Sequence, residues 1–297
     1  MTTEESMTGS EYVAHHLQHL ASQEETGLFS TSALHYDTIA FSVATVAIVL
    51  LVLAILASRA KKGVPGRFQA LVEMWVEIVD EQAKALVPVD RRYAAPLALT
   101  VFFWVCVMNA IDLLPVDWFP RAGHEMFGLE HLRPLPTADI NVPLGMALGV
   151  LILSLYYGIK VKGLFGWIKD LFVAPFGRVH LSWNPLTWIA ALLLAIANFG
   201  LNIIEYVSKT FSHGMRLYGN MYAGELIFFL IALLGGSIVM DETTHSFAVN
   251  AGMAFLHVLA GFCWEIFHIL IVILQAYIFM MLTLVYIGQS QESHAPH

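Results

Sequence analysis

Charge is what this sequence has least of. Only 13% of its 297 residues are Asp, Glu, Lys or Arg, against roughly a quarter in ordinary soluble domains. Residues 1–37 contain no Lys or Arg, and RAKKG at 59–63 is the densest basic run. With a formal charge of −8, a basic nucleic-acid surface is excluded, and no nucleic-acid partner is expected. Only two cysteines occur, Cys106 and Cys263, both in apolar stretches. That excludes a disulfide framework and leaves two small buried hydrophobes as the expectation. The N-terminus, MTTEESMTGSEYVAHHLQHL, has no basic n-region and is not expected to be a cleaved signal peptide. There is no internal repeat, which weighs against an inverted-repeat transporter. There is no Gly-rich phosphate loop, no His-Glu-x-x-His site and no Ser or Cys nucleophile motif. No cofactor and no metal are expected.

What fills the space is hydrophobicity, at 58% of the chain. The fold class expected is an all-α polytopic membrane protein with about five crossing helices. Residues 1–37 form a polar N-terminal segment, 38–288 the membrane domain and 289–297 a tail. Spans are expected at about 38–58, 93–114, 140–159, 200–234 and 247–287. In 67–87, Phe68, Leu71, Val72, Trp75, Val76, Ile78 and Val79 recur at helical spacing, but acids and Lys84 interrupt them. That pattern predicts an amphipathic helix lying in the interface. The stretch 115–139 reads as a Pro-rich loop and 160–183 as a linker. The last two apolar stretches are too long for upright spans, so they read as a long tilted hairpin. Residues 184–199 fit either a separate helix or a re-entrant piece.

Basic residues orient the chain. Arg59, Lys61, Lys62, Arg67, Lys84, Arg91 and Arg92 lie in 59–92, and Lys160, Lys162, Lys169 and Arg178 in 160–183. Loop 115–139 has only Arg121 and Arg133. The positive-inside rule then predicts an N-terminus on the outer side, with 59–92, 160–183 and the C-terminus cytoplasmic. Membrane lipid is the expected surrounding.

Two basic residues remain, Lys209 and Arg216, both inside a long apolar helix. Turning about 100° per residue, Glu205, Lys209, Ser212, Asn220 and Ala223 fall within about 40° of Arg216. Glu225 lies on the opposite side, toward the last helix. There His268, Gln275, Tyr286 and His257 make a second stripe. Asn109, Asp112 and Asp117 close the second span, and Asp139 and Asn141 open the third. On the assigned topology Asp112, Asp117, Asp139, Glu225, Glu265 and His268 fall in the outer half, and Glu205, Lys209 and Tyr286 in the inner half. A charge at membrane depth marks an ion pathway by default. Arg216 has no acid at i±3 or i±4, and Glu225 and Glu205 are roughly 13 and 16 Å away along the axis. Its counter-ion is therefore expected from elsewhere, including another chain.

Blander readings stand beside these. Arg216 also fits a structural pair, Glu225 with His268 an interhelical hydrogen bond, and Asp112 and Asp117 ordinary interface residues. Lys209 also fits a side chain snorkelling to the surface. His15 and His19 read as a solvated helix face. Glu265 and His268 have the Glu-x-x-His spacing of di-iron sites, but no second copy exists. From other classes, a stand-alone transporter with an Arg-bound anion and a membrane metal oxidase stay open.

SKTFSHGMRLYGNMYAGELIFFLIAL, WEIFHILIVILQAYIFMMLTLVYI, FFWVCVMNAIDLLPVDWFP and PTADINVPLGMALGV together resemble subunit a of the bacterial F-type ATP synthase, over about 38–288. The acidic, His-rich N-terminal stretch and the extra apolar segment at 184–199 depart from that pattern. The resemblance implies a stator subunit packed against a rotating c-ring whose subunits carry mid-membrane carboxylates. The other implied partners are subunit b of the peripheral stalk and the remaining synthase subunits. It implies that the chain is not catalytic alone but is the ion-translocating part of an H+-transporting ATPase. Arg216 would be the essential charge facing the ring, with Gln275 beside it. Asn109, Asp112, Asp139, Asn220, Glu225 and His268 would line a periplasmic half-channel. Glu205, Ser208, Lys209 and Tyr286 would line a cytoplasmic one.

Overall fold

The computed structural model describes residues 20, 35–61, 63–64, 66–87, 91–114, 118–128, 132–177, 185–240 and 247–292. The expectations for His15, His19 and Asp117 lie outside the described residues. Seven α-helices occur among the described residues: α1 Tyr36–Arg59, α2 Arg67–Leu86, α3 Arg91–Ala110, α4 Trp118–Phe127, α5 Asn141–Val173, α6 Pro185–Met240 and α7 Phe247–Gln291. Short 3-10 turns follow α3 at Ile111–Leu113 and precede α5 at Pro136–Ala138.

Five of these helices are long and apolar enough to cross a membrane: α1, α3 with its 3-10 extension, α5, α6 and α7. The chain is an all-α polytopic membrane protein. Its outward faces are apolar, as at Leu51, Ile152, Leu192 and Val258, which are all exposed. Hydrocarbon, not water, is the solvent such faces suit. The same logic corrects the expectation for Cys263, which is exposed while Cys106 is partly covered. A thiol is as acceptable to lipid as to a protein core.

The helix α2 has the two-faced character its spacing predicts. Val79 and Ala83 are buried, whereas Phe68 and Leu71 are exposed, and Lys84 pairs with Asp80 at 2.7 Å. It is not among the five spans. The stretch read as a Pro-rich loop contains a short helix, α4. Residues 185–199 of the segment 184–199 form the first turns of α6, which runs from Pro185; residue 184 lies outside the described residues. Helix α5 continues past the expected span end and breaks at Gly163, whose φ of 72° an L side chain rarely adopts.

The chain forms two compact units. The first comprises Met1–Ser58, Phe102–Val142 and Leu217–Tyr277; the second comprises Arg59–Val101, Pro143–Arg216 and Ile278–His297. In the first unit α6 and α7 pack antiparallel. Gly224 meets His268, Phe228 meets Trp264, Ile231 meets Gly261, and Gly235 meets His257. A step of three or four along one helix is matched by the same step back along the other.

In the second unit two asparagines join α6 to the end of α5. Asn198 Nδ2 donates to the carbonyl oxygens of Phe172, Val173 and Gly177, and Asn202 Nδ2 to those of Leu171 and Ala174. The last carbonyls of a helix have no partner within it. Here a neighbouring helix supplies the donors.

Candidate functional site

In the first unit, three buried ion contacts gather around the motif residues. His268, fully buried on α7, places Nε2 2.8 Å from Asp112 Oδ2, at the end of α3. The contact is close but not aligned as a hydrogen bond, and His268 Nδ1 has no hydrogen-bond partner among the described residues. Gly224 lets the ring lie against α6: a Cβ there would stand 2.4 Å from His268 Cε1. Asn109, one turn before Asp112, is fully buried, and neither amide atom has a partner among the described residues.

Glu225 does not meet His268 as the helical wheel suggested. Its carboxylate is gripped by Arg133, from the segment before α5. Arg133 Nε donates to Oε1 at 3.1 Å and Nη2 donates to Oε2. The fork-to-fork geometry is the strong form of this contact. Arg133 is 5% exposed and Glu225 is 6% exposed, so water screens the pair little. Burial works against the Arg133 charge, but the field and hydrogen bonds of Glu225 outweigh it, and the guanidinium is held above its ordinary pKa. Arg133 also stands over the Tyr222 ring, 5.9 Å from its centre, and its backbone N–H donates to Asp37 Oδ2 at 3.2 Å. Buried Asp37 accepts from Leu20 N as well. Nearby, His35 Nδ1 lies 2.6 Å from Asp139 Oδ2, while Asp139 Oδ1 accepts from Asn141 N and Nδ2 at 3.0 Å each. Asp112, Arg133 and Glu225 line one cavity of about 30 Å³, close to the volume share of one water in the liquid.

The second unit holds a larger cavity of about 260 Å³. Glu205, Lys209 and Tyr286 line it, together with Ser154, Lys162, Asp170, Asn202 and Gln289. Lys209 bridges Glu205 at 2.5 Å, donates to Gln289 Oε1 at 2.9 Å and stands over the Tyr286 ring. Lys162 and Asp170 pair at 3.0 Å. Ser208 is exposed and does not line the cavity.

Arg216 is half-buried and has no hydrogen bond or ion pair to the described residues of this unit. His213, one turn earlier, stacks on Phe279 with ring centres 3.9 Å apart. Gln275 is buried and Asn220 half-buried, both in the first unit. No group of three His, Cys, Asp or Glu suited to a metal ion occurs among the described residues.

Residues 39–288 match the family described as ATP synthase A chain. The chain belongs to this family. It is 50% identical to ATP synthase subunit a of Acidovorax sp. (strain JS42) over 291 residues, with 97% of each chain covered. It is 47% identical to ATP synthase subunit a of Paracidovorax citrulli (strain AAC00-1) over 296 residues, again with 97% of each covered. Identity to ATP synthase subunit a of Pseudomonas syringae pv. tomato (strain ATCC BAA-871 / DC3000) is 40% over 305 residues, covering 97% of this chain and 98% of that one. Membership of the ATP synthase A chain family displaces the stand-alone transporter and the metal oxidase. It also ties this multi-pass membrane chain to ATP synthesis and ion transport.

Sequence reasoning missed Arg133, Asp37, Lys162 and Asp170 as site residues. One signal for Arg133 was available. It is a basic residue on the side where the positive-inside rule calls for few, set among the apolar and proline residues of HLRPLPTAD.

Proposed function

We propose that this chain is the proton-translocating stator subunit of an F-type ATP synthase. Two aqueous half-channels carry protons to and from carboxylates on a c-ring, and Arg216 separates them. The periplasmic half-channel is lined by Asn109, Asp112, Asp139, Asn220, Glu225 and His268. The cytoplasmic one is lined by Glu205, Lys209 and Tyr286, with Ser208 at its edge. Subunit b and the remaining synthase subunits hold the chain against the ring in a bacterial inner membrane, with the N-terminus periplasmic and the C-terminus cytoplasmic.

The observation that carries this reading is the state of Arg216. It is a permanent cation in a membrane-crossing helix. Of the three acids lining the second unit's cavity, Asp170 and Glu205 are already engaged by Lys162 and Lys209, and Glu292 stands just past the end of α7. A cation in that position calls for a carboxylate from another chain. A ring carboxylate arriving deprotonated is stabilised by Arg216. It enters lipid only after taking a proton from the periplasmic path, because an ionised carboxylate in hydrocarbon is far costlier than a neutral acid. Net proton flow then requires rotation. Gln275 sits on α7 as the neutral neighbour of this exchange.

The test is Arg216→Ala, measured as ATP synthesis and as passive proton uptake in inverted vesicles stripped of the soluble ATPase sector. Synthesis is expected to be abolished while leak through the ring interface rises. Arg216→Lys is expected to lose synthesis with less leak, since its compact head cannot follow a carboxylate as the planar fork does. Near-normal synthesis in Arg216→Ala would overturn the reading.

A further inference from the structure

We infer that Glu225 is not a proton carrier but a carboxylate permanently fixed by Arg133, and that the periplasmic proton path runs past this pair through Asp112 and His268. The inference rests on the proton-translocating reading above and assigns the roles within its outer half.

The two acids of the small cavity are held in opposite ways. Glu225 faces a guanidinium through two hydrogen bonds, both donated by nitrogens that do not give up protons at any physiological pH. Protonating Glu225 would break one of those bonds and leave a buried cation without its counter-charge. Asp112 faces an imidazole instead, at 2.8 Å. Imidazole is the side chain whose charge changes most readily near neutral pH. Its far nitrogen, Nδ1, is buried and has no hydrogen-bond partner among the described residues. A proton can therefore enter at one nitrogen and leave from the other. Asp112 as the neutral acid gives its proton to His268 Nε2, leaving an aspartate beside an imidazolium. The imidazolium releases the Nδ1 proton to water on the way to a c-ring carboxylate and becomes neutral, with its remaining proton on Nε2. Asp112 regains a proton from water on the outer side, and the ring returns to its first tautomer by proton exchange with water. The nitrogens of Arg133 offer Glu225 no such exchange.

Arg133 is thus a positioning residue. It neutralises and orients Glu225, and its backbone N–H ties the same loop to Asp37. The cavity of about 30 Å³ has Asp112 and the Arg133–Glu225 pair on its wall. The fixed pair adds no net charge to it, so a proton on Asp112 meets a neutral wall.

The consequence separates a carrier from a counter-ion. Removing one member of a buried pair strands the other charge, whereas replacing both with neutral groups of like shape is tolerated. ATP-driven proton pumping is measured in inverted vesicles holding the whole synthase, with subunit levels checked in washed membranes. Glu225→Gln and Arg133→Gln should each lower pumping at least about tenfold. The double variant R133Q/E225Q should recover most of that loss, to several-fold above either single variant. Arg133→Lys, which keeps the charge, should retain clearly more pumping than Arg133→Gln. A double variant as inactive as Glu225→Gln overturns the inference, because an obligatory carrier cannot be replaced by an amide. Near-normal pumping in Arg133→Gln overturns it as well. If R133Q/E225Q is absent from membranes, the exchanged pair R133E/E225R takes its place and should likewise recover pumping. Absence of both counts against the inference, since interchangeable partners must tolerate one of them. Arg216→Ala in the same vesicles keeps the two questions apart. Normal pumping there sinks the translocation reading, whereas an inactive Arg216→Ala beside an unrescued double variant sinks only the role given to Arg133 and Glu225.

Discussion

His268 rests against the backbone of Gly224 so closely that a single added methyl would stand 2.4 Å from its Cε1 and 2.9 Å from its Nδ1. The fully buried ring has no room to retreat without leaving Asp112. Gly224→Ala should therefore either push the imidazole off its partner or spread α6 from α7. Overpacking of this kind costs about 1–3 kcal/mol. Thermal unfolding of the detergent-solubilised subunit should show that loss, and proton pumping should fall with it. A variant with unchanged stability and pumping would mean that the contact is looser in the membrane.

Asp112→Asn keeps the shape of the side chain at Asp112 but removes its charge and its transferable proton. Pumping should drop by an order of magnitude or more, and His268→Ala should do the same. The double variant should be scarcely worse than either single variant, because members of one relay are non-additive. Additive losses would indicate two independent paths.

The asparagine joint of α5 and α6 is a stability feature. Fully buried Asn198 donates to three carbonyl oxygens at 3.0–3.4 Å. Asn198→Ala strips them of that donor, for a loss of about 1–3 kcal/mol. The effect should appear as a lower midpoint in thermal unfolding and as faster proteolysis of the 174–184 connection. Pumping per assembled complex should stay near wild type, as Asn198 lines neither cavity.

Topology is open to direct labelling. Cysteines introduced at Ser6 and Ala60, in a chain with Cys106 and Cys263 replaced, should react with a membrane-impermeant thiol reagent from opposite faces of oriented vesicles. Residues 1–37 carry no Lys or Arg while 59–92 carry seven, which sets the expectation. Labelling of both from one face would reject the five-crossing arrangement.

The spans were legible because hydropathy is a local property that needs no knowledge of neighbours. So was the two-faced character of α2, where acids and Lys84 interrupt an apolar stripe. The pairings were not legible, because they join residues distant in sequence. His268 meets Asp112 across 156 positions, and Glu225 meets Arg133 across 92. The helical wheel placed Glu225 away from Arg216 and toward α7. It could not foresee that a loop arginine reaches the carboxylate while His268 takes an acid from the end of α3. Ser208 was placed by the family resemblance alone; adjacent residues on a helix point about 100° apart, and the serine is exposed while Lys209 lines the cavity. Lys162 and Asp170 looked like ordinary linker charges because the extent of α5 beyond Gly163 was not anticipated.

The α6–α7 contacts in the first unit fall at Gly224, Phe228, Ile231 and Gly235, in steps of four, three and four. Eleven residues over three turns is a slightly longer period than the helix's own, the reverse of a heptad seam. Along the repeat the contact line drifts by about 20° in the sense that winds two helices right-handedly. Each end of the repeat seats a histidine on a glycine, His268 on Gly224 and His257 on Gly235. The pair behaves as a zip with imidazole teeth, and a shift by one turn toward the start of α6 would carry His268 onto Asn220 and His257 onto Ile231, both larger than glycine. Sliding of one helix along the other is opposed at two points, which holds the α6–α7 pair in register.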